Sequence, residues 1–259
     1  MLVSTEIPAV IAELAGDDAV TLVWRNELGG LTYRLDGAGV RYAKWVAAGT
    51  PEIDLMAEAE RLTWASRRVH VPPVLEHGTS PGEEWLVTAA VPGTSAVAER
   101  WRGKPEVVAR AIGRGLRLLH DTLPASACPY DWSVERRLRR ARERFADGEG
   151  PDDWSPEHRR LGLDEARVII ERPPPIDRLV VCHGDACVPN TLLHDDGTFA
   201  AHVDLGSLGV ADRWADLAVA AWSLDHDFGP GHDAGLYEGY GIEPDPVRVA
   251  YYRLLWDLA

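Results

Sequence analysis

The stretch from Val180 to Gly206 constrains the fold of this chain more than any other. A short apolar run, Leu179 to Cys182, leads into His183-Gly184-Asp185-Ala186-Cys187-Val188-Pro189-Asn190. Two extended runs follow, Thr191 to His194 and Thr198 to Val203, around Asp195-Asp196-Gly197. Asp-Gly between apolar runs is a strong hairpin signal, because glycine accepts the positive φ that a tight turn demands. Returning strands bring Asn190 beside Asp204 of Asp204-Leu205-Gly206. A carboxylate and a carboxamide oxygen are hard donors, suited to Mg²⁺ held jointly by protein, water and phosphate. Asp185 remains as a base.

At 259 residues the chain can bury a sizeable core and sits between one large domain and two small ones. No run of about 18 apolar residues occurs. The start, Met1-Leu2-Val3-Ser4-Thr5-Glu6, lacks the basic region and apolar core of a signal peptide, so a soluble cytoplasmic protein is expected. Cys128, Cys182 and Cys187 are an odd number in a chain of this length and do not make a disulfide framework. Cys182, His183 and Cys187 lack the Cys-x-x-Cys spacing of a zinc site, and the two cysteines read as thiols buried beside the Asp185 loop. Lys and Arg number 27 against 41 Asp and Glu, a net charge of −14. That balance opposes nucleic acid and anionic membrane as partners and favours cationic ligands. The basic run Arg136 to Arg144 contains Val134, Leu138, Ala141 and Phe145 at helical spacing, so its arginines read as the solvated face of an amphipathic helix.

The first part of the chain reads as strands, Ala19 to Trp24, Leu31 to Leu35 and Gly39 to Trp45, separated by Gly29-Gly30 and Asp36-Gly37. Gly29-Gly30 is either a plain hairpin turn or a place where backbone amides approach a nucleotide phosphate. A helix follows, with Thr50 as N-cap, Pro51 at its first position and Glu52 in the first turn. Its period leaves two glutamates open: Glu58 shares a stripe with Leu55 and Leu62, Glu60 with Met56 and Trp64. Val69 to Leu75, with Pro72-Pro73, is an extended entry to the strand Trp85 to Val91, which Pro92-Gly93 stops. A long helix from Pro105 to Leu123 buries Val108, Ile112, Leu116 and Leu119, with His120 a packed or capping residue. Asp152 and Asp153 lie in an exposed loop, Gly148 to Pro156. Pro173-Pro174-Pro175 closes a further helix. Asp212-Arg213-Trp214-Ala215-Asp216 opens an Ala-rich helix whose acids orient the Asp185 segment. The last helix has Asp245 as N-cap and Pro246 at its first position, with Val249, Tyr252 and Leu255 on its apolar face.

Strand lysine, helix glutamate, catalytic Asp, Asn five positions later and a metal Asp after a hairpin is the grammar of protein kinases. Here the kinase His-Arg-Asp is His183-Gly184-Asp185. That form, with Val181-Cys182-His183-Gly184-Asp185-Ala186-Cys187, Leu208-Gly209-Val210-Ala211-Asp212-Arg213 and Tyr251-Tyr252-Arg253-Leu254-Leu255, resembles the aminoglycoside phosphotransferase family and its 3'-phosphotransferase branch over nearly the whole chain. The resemblance implies an α+β, two-lobed protein-kinase-like fold. Residues 1–91 are then a small β-rich N-lobe, a sheet plus one helix, that binds nucleotide. Residues 92–259 are a larger, mainly helical C-lobe with the catalytic and metal-binding loops and the substrate pocket. Lys44 is implied as the grip on the α- and β-phosphates. The family pattern Glu-Ala-x-Arg-Leu-x-Trp, matched by Glu58 to Trp64, selects Glu58 over Glu60 as its partner. The backbone of Ala89 and Val91 is implied at the adenine edge, and Gly29 and Gly30 near the phosphates. Asp152 and Asp153 fall in the acidic flap that receives substrate amines.

The implied activity is ATP-dependent (or GTP-dependent) O-phosphorylation of an aminoglycoside, at its 3'-hydroxyl, conferring resistance. Asp185 would orient the hydroxyl and accept its proton, and Asn190 and Asp204 would hold Mg²⁺ across the phosphates. The expected partner is a cationic small molecule, with no nucleic acid, membrane or obligate protein partner. The 3'-phosphotransferases generally carry Arg where this chain has Ser207 and another near Trp222. They commonly end in two adjacent acids and an aromatic residue, where this chain has Trp256-Asp257-Leu258-Ala259. Asp257 is then one retained amine partner, Trp256 a replacement able to stack on a sugar face or close the pocket, and the Ala259 carboxylate a further amine contact, which points to a narrowed, altered or absent aminoglycoside range. Two alternatives stand beside this reading: a kinase for another hydroxylated metabolite or antibiotic, and a catalytically silent nucleotide-binding module.

Overall fold

The computed structural model describes residues 7–259, so the segment Met1 to Glu6, and the signal-peptide reading made on it, lie outside the described residues. The chain divides into two compact units, Met1–Val91 and Pro92–Ala259.

In the first unit the elements are α1 (Ala9–Ala15), β1 (Ala19–Arg25), β2 (Leu31–Asp36), β3 (Val40–Ala47), α2 (Leu55–Ala65), β4 (Val74–Ser80) and β5 (Glu83–Ala89). The five strands form an antiparallel sheet in the order β1-β2-β3-β5-β4. Leu31, Tyr33 and Leu35 alternate along β2, and with Ala43 and Val87 they bury one face of the sheet against Ile11 and Ala15 of α1. Successive residues of a strand point to opposite faces. Lys44, next to Ala43, therefore points to the other face, where its ammonium meets α2. The start of α2 differs from the sequence expectation. Glu52 has a φ of 67°, outside the helical region, so Pro51 and Glu52 form a turn. The cap is Asp54 and not Thr50: the Asp54 carboxylate accepts from the Ala57 amide at 2.7 Å, while the Thr50 hydroxyl donates back to Ala47. The extended entry after Val69 is itself strand β4 from Val74, and β5 stops at Ala89, before Val91.

The second unit contains β6 (Thr94–Ser95), α3 (Pro105–Thr122), α4 (Val134–Ala146), α5 (Leu163–Ile170), β7 (Leu179–Cys182), β8 (Thr191–Leu193), β9 (Phe199–His202), β10 (Gly209–Asp212), α6 (Trp214–Phe228), α7 (Asp233–Tyr240) and α8 (Pro246–Leu258). β7 pairs antiparallel with β10, and β8 lies between β6 and β9. Val108, Ile112 and Leu116 of α3 join Leu217 and Leu224 of α6 and Tyr252 and Leu255 of α8 in one core. Helix α7 is not among the elements expected from local pattern. It is held by small residues: a Cβ on Gly113 of α3 would lie 2.1 Å from the Leu236 carbonyl, so the two helices pack with their backbones in close approach. In α4, Leu138, Ala141 and Phe145 are buried as the periodicity predicts, and Arg136, Arg139 and Arg142 are exposed. Arg137 departs from the solvated-face reading. It is buried, its guanidinium sits 5.5 Å from the Trp132 ring centre, and burial pulls its pKa down to about 10. Among the described residues no helix is long and apolar enough to cross a membrane.

Candidate active site

The second unit builds its polar centre from two loops, one leaving β7 and braced by α6, the other leaving β9. The first turn of α6 aims Asp216 at the β7 loop. Its Oδ2 accepts from the His183 amide at 2.6 Å and from His120 Nε2 at 2.9 Å, and its Oδ1 accepts from the Gly184 amide at 2.9 Å. Burial pushes the Asp216 carboxyl up, but the His120 bond and the amide bonds outweigh it and hold it below the usual carboxylate range. Two helical turns on, the Ser223 hydroxyl accepts from the Val188 amide at 2.9 Å and donates to Asp227. One helix face thus fixes both ends of the loop. Asp212 holds the helix start, accepting from the Trp214 and Asp177 amides.

Gly184 has a φ of 86°, and a Cβ there would lie 2.1 Å from the Ser207 carbonyl oxygen. Only glycine lets the two loops touch at this point. His183 donates from Nε2 to the Val203 carbonyl at 3.0 Å and accepts from the Asp185 amide at Nδ1, which defines a neutral tautomer spanning both loops. Asp185 is then held by its side chain as well. Its Oδ1 accepts from the Cys187 thiol at 3.0 Å, and its Oδ2 accepts from Asn190 Nδ2 at 2.9 Å. The same Asn190 nitrogen donates to the Asp185 carbonyl at 3.0 Å, which directs the amide oxygen away from Asp185. The hairpin closes as its turn chemistry predicts: the Val203 amide donates to the Asn190 carbonyl at 3.0 Å, bringing Asp204 next to Asn190. Asp204 adopts a left-handed φ of 63°, a conformation that costs a non-glycine residue free energy and concentrates at functional sites.

Burial raises the Asp185 pKa. The Cys187 bond opposes that shift and the negative charge of Asp204 adds to it. A partly buried carboxylate of raised basicity, with two oxygen donors alongside, can accept a proton where a cation is also held. The two thiols near this loop go to separate acceptors, Cys182 to the Asp212 carbonyl and Cys187 to Asp185, and none of the three cysteines forms a disulfide among the described residues.

In the first unit Lys44 Nζ lies 2.8 and 2.9 Å from the two Glu58 carboxylate oxygens. Glu58 is buried on the stripe of Leu55 and Leu62, and Glu60 is exposed. The Gly29 and Gly30 amides donate within their own turn, to the Asn26 carbonyl and the Asn26 side chain, so this turn offers clearance and not free donors. The Ala89 amide donates to Pro73 at the end of β5, and Val91 follows two residues on.

The expected substrate residues lie in two groups. Asp152 and Asp153 are exposed in a short turn, Asp153 accepting from the Gly150 amide. At the end of α8, Trp256 packs on Trp222 with ring centres 4.6 Å apart, and Trp222 stacks on His226. Ala259 is half-buried. The Asp257 carboxylate turns toward Ser155 and His158. Neither Ser155 nor His158 carries a sequence signal, since their partner lies about 100 residues away.

A model of the phosphotransferase enzyme family matches residues 30–252. The aminoglycoside 3'-phosphotransferase of Streptomyces fradiae is 39% identical over 89% of this chain and 91% of its own length. A crystal structure of an aminoglycoside-3'-phosphotransferase of type VIII superposes with a TM-score of 0.81 at 32% identity, covering 93% of this chain and 94% of that one. The aminoglycoside phosphotransferase APH(3'')-Id from Streptomyces rimosus, in complex with ADP and streptomycin, superposes with a TM-score of 0.74 at 28% identity, covering 96% of this chain and 95% of that one.

Proposed function

This chain belongs to the phosphotransferase enzyme family, and on that premise we propose that it transfers the γ-phosphoryl group of ATP or GTP to a hydroxyl of an aminoglycoside, the 3'-hydroxyl by its similarity to aminoglycoside 3'-phosphotransferases. The fold is the α+β, two-lobed, kinase-like fold of that family, with a β-rich first unit and a mainly helical second. The observation that carries the chemistry is the constellation at the hairpin base: Asp185 held at both oxygens, the Asn190 amide donating to Asp185 with its own oxygen directed away, and Asp204 beside them.

Phosphoryl transfer asks for positioning and charge neutralisation more than for covalent chemistry. Asp185 orients the acceptor hydroxyl and takes its proton as the new oxygen–phosphorus bond forms and the bond from γ-phosphorus to the β-bridging oxygen breaks, releasing the nucleoside diphosphate. Lys44, held by Glu58, takes the charge of the α- and β-phosphates. The residues present fit Mg²⁺: Asn190 and Asp204 offer hard oxygens, and the like-charge pressure between Asp185 and Asp204 is what a divalent cation relieves. Asn190 and Asp204 would hold Mg²⁺, and what it would supply there is neutralisation of charge on the phosphate oxygens. Asp152 and Asp153 supply negative charge for a cationic acceptor. A cytoplasmic enzyme of this kind, with nucleotide at hand, confers aminoglycoside resistance.

The Trp222 and Trp256 pair supports a second reading, an acceptor with an apolar ring face such as another hydroxylated antibiotic. One experiment decides between them. Kanamycin-type, neomycin-type and streptomycin-type compounds, together with other hydroxylated antibiotics, are offered with ATP or GTP, and products are identified by mass spectrometry. A phosphorylated aminoglycoside is expected, and Asp204→Ala abolishes its formation. Acceptor-dependent turnover confined to other compounds moves the assignment to the second reading, no turnover leaves a silent nucleotide-binding module, and full turnover by Asp204→Ala refutes the metal assignment.

A further inference from the structure

We propose that Asp257 is a positioning residue that latches the acidic loop 149–158 to the last helix. The carboxylate is bonded to the loop at both oxygens. Oδ1 and Oδ2 accept from the Ser155 amide at 3.1 and 3.0 Å, and Oδ2 also accepts from the Ser155 hydroxyl at 2.7 Å and His158 Nδ1 at 2.7 Å. The Asp257 and His158 side chains are 12% and 13% exposed, so these bonds are sheltered from water and worth more than surface contacts.

The loop is tied down on both sides of its exposed turn. Before the turn, Arg144 of α4 donates to Glu149 at 2.5 Å and reaches the Asp257 carbonyl at 3.5 Å. After it, Trp154 is buried against Phe145 with ring centres 6.2 Å apart, and Glu157 pairs with Arg253 of α8. Between these anchors Asp152 and Asp153 stand exposed on a three-residue turn, Pro151–Asp153. The latch thereby fixes the place from which the exposed Asp152 and Asp153 can meet an acceptor amine. This role in acceptor recognition rests on the function proposed above; the latch itself does not.

The test is hydrogen exchange, read by mass spectrometry on the ligand-free full chain, beside acceptor and nucleotide kinetics. In Asp257→Asn, which keeps size and loses charge, peptides over 149–158 are expected to exchange at least about tenfold faster, the scale of one charge-assisted hydrogen bond lost in a local opening. The KM for the acceptor is expected to rise several-fold more than the KM for nucleotide. Should that variant fail to fold, His158→Ala breaks the latch from the loop side and is expected to raise exchange in the same peptides. Unchanged exchange in the folded variant overturns the latch, and unchanged exchange with a raised acceptor KM identifies Asp257 as an amine ligand instead. If the wild-type chain phosphorylates no aminoglycoside, the functional reading falls while the exchange result still decides the latch.

Discussion

Asp216→Asn tests the brace under the catalytic loop most directly, because the change is isosteric and the three bonds it alters are defined. Asn has one accepting atom where Asp has two. With its oxygen in the Oδ2 position it keeps the His183 amide at 2.6 Å and His120 at 2.9 Å, and turns an NH₂ group toward the Gly184 amide, formerly 2.9 Å from Oδ1. One charge-assisted hydrogen bond is lost, about 1.5–3 kcal/mol, and a buried amide is left unsatisfied, about 1–3 kcal/mol, so a destabilisation of about 3–5 kcal/mol is expected. A domain in the middle of the usual range, about 10 kcal/mol, still folds after such a loss. Urea denaturation followed by tryptophan fluorescence reads it as a lower midpoint at constant slope. The sign of the pH dependence follows from the depressed Asp216 pKa. Stabilisation by the carboxylate is fully present above its ordinary value of 3.8 and is lost as pH falls through the lower folded value, so the gap between wild type and variant is full near about pH 7 and closes in acid. Because the Asp216 carboxylate carries the amides next to Asp185, kcat should also fall roughly tenfold to hundredfold through misplacement alone. A stability difference under about 1 kcal/mol at neutral pH, or one that widens as pH falls, would refute the brace.

Gly184→Ala puts a Cβ 2.1 Å from the Ser207 carbonyl at a φ of 86°. The left-handed backbone costs about 1–2 kcal/mol and the clash about 1–3 kcal/mol more, so both Tm and kcat should drop; a variant matching wild type in both contradicts the close approach of the two loops. Glu58→Ala removes the carboxylate 2.8 Å from Lys44, in a pair whose side chains are 24% and 5% exposed, and should raise the nucleotide KM at least about tenfold. Glu60→Ala, on the exposed side of α2, should stay within about twofold, and equal effects of the two substitutions would reject the assignment of Glu58.

Much of this protein is written in local pattern. The Asp-Gly turn and its flanking runs are enough to predict the β8–β9 hairpin and so the meeting of Asn190 with Asp204. Helical period places Leu55 and Leu62 on one stripe with Glu58, and Asp245 with Pro246 opens α8 as expected. Such features are visible because backbone sterics, turn chemistry and periodicity act over a few residues. Tertiary structure decided what those forces do not reach. The left-handed Glu52 delays α2 to Leu55, Arg137 on an arginine-rich face is buried beneath Trp132, and α7 is held by a glycine contact with α3. Asp257, which stands alone in sequence as an available acid, finds Ser155 and His158 only in the folded chain. A carboxylate's partner is set by which segments burial brings together, and a pairing across about 100 residues leaves no mark on the local sequence at either end.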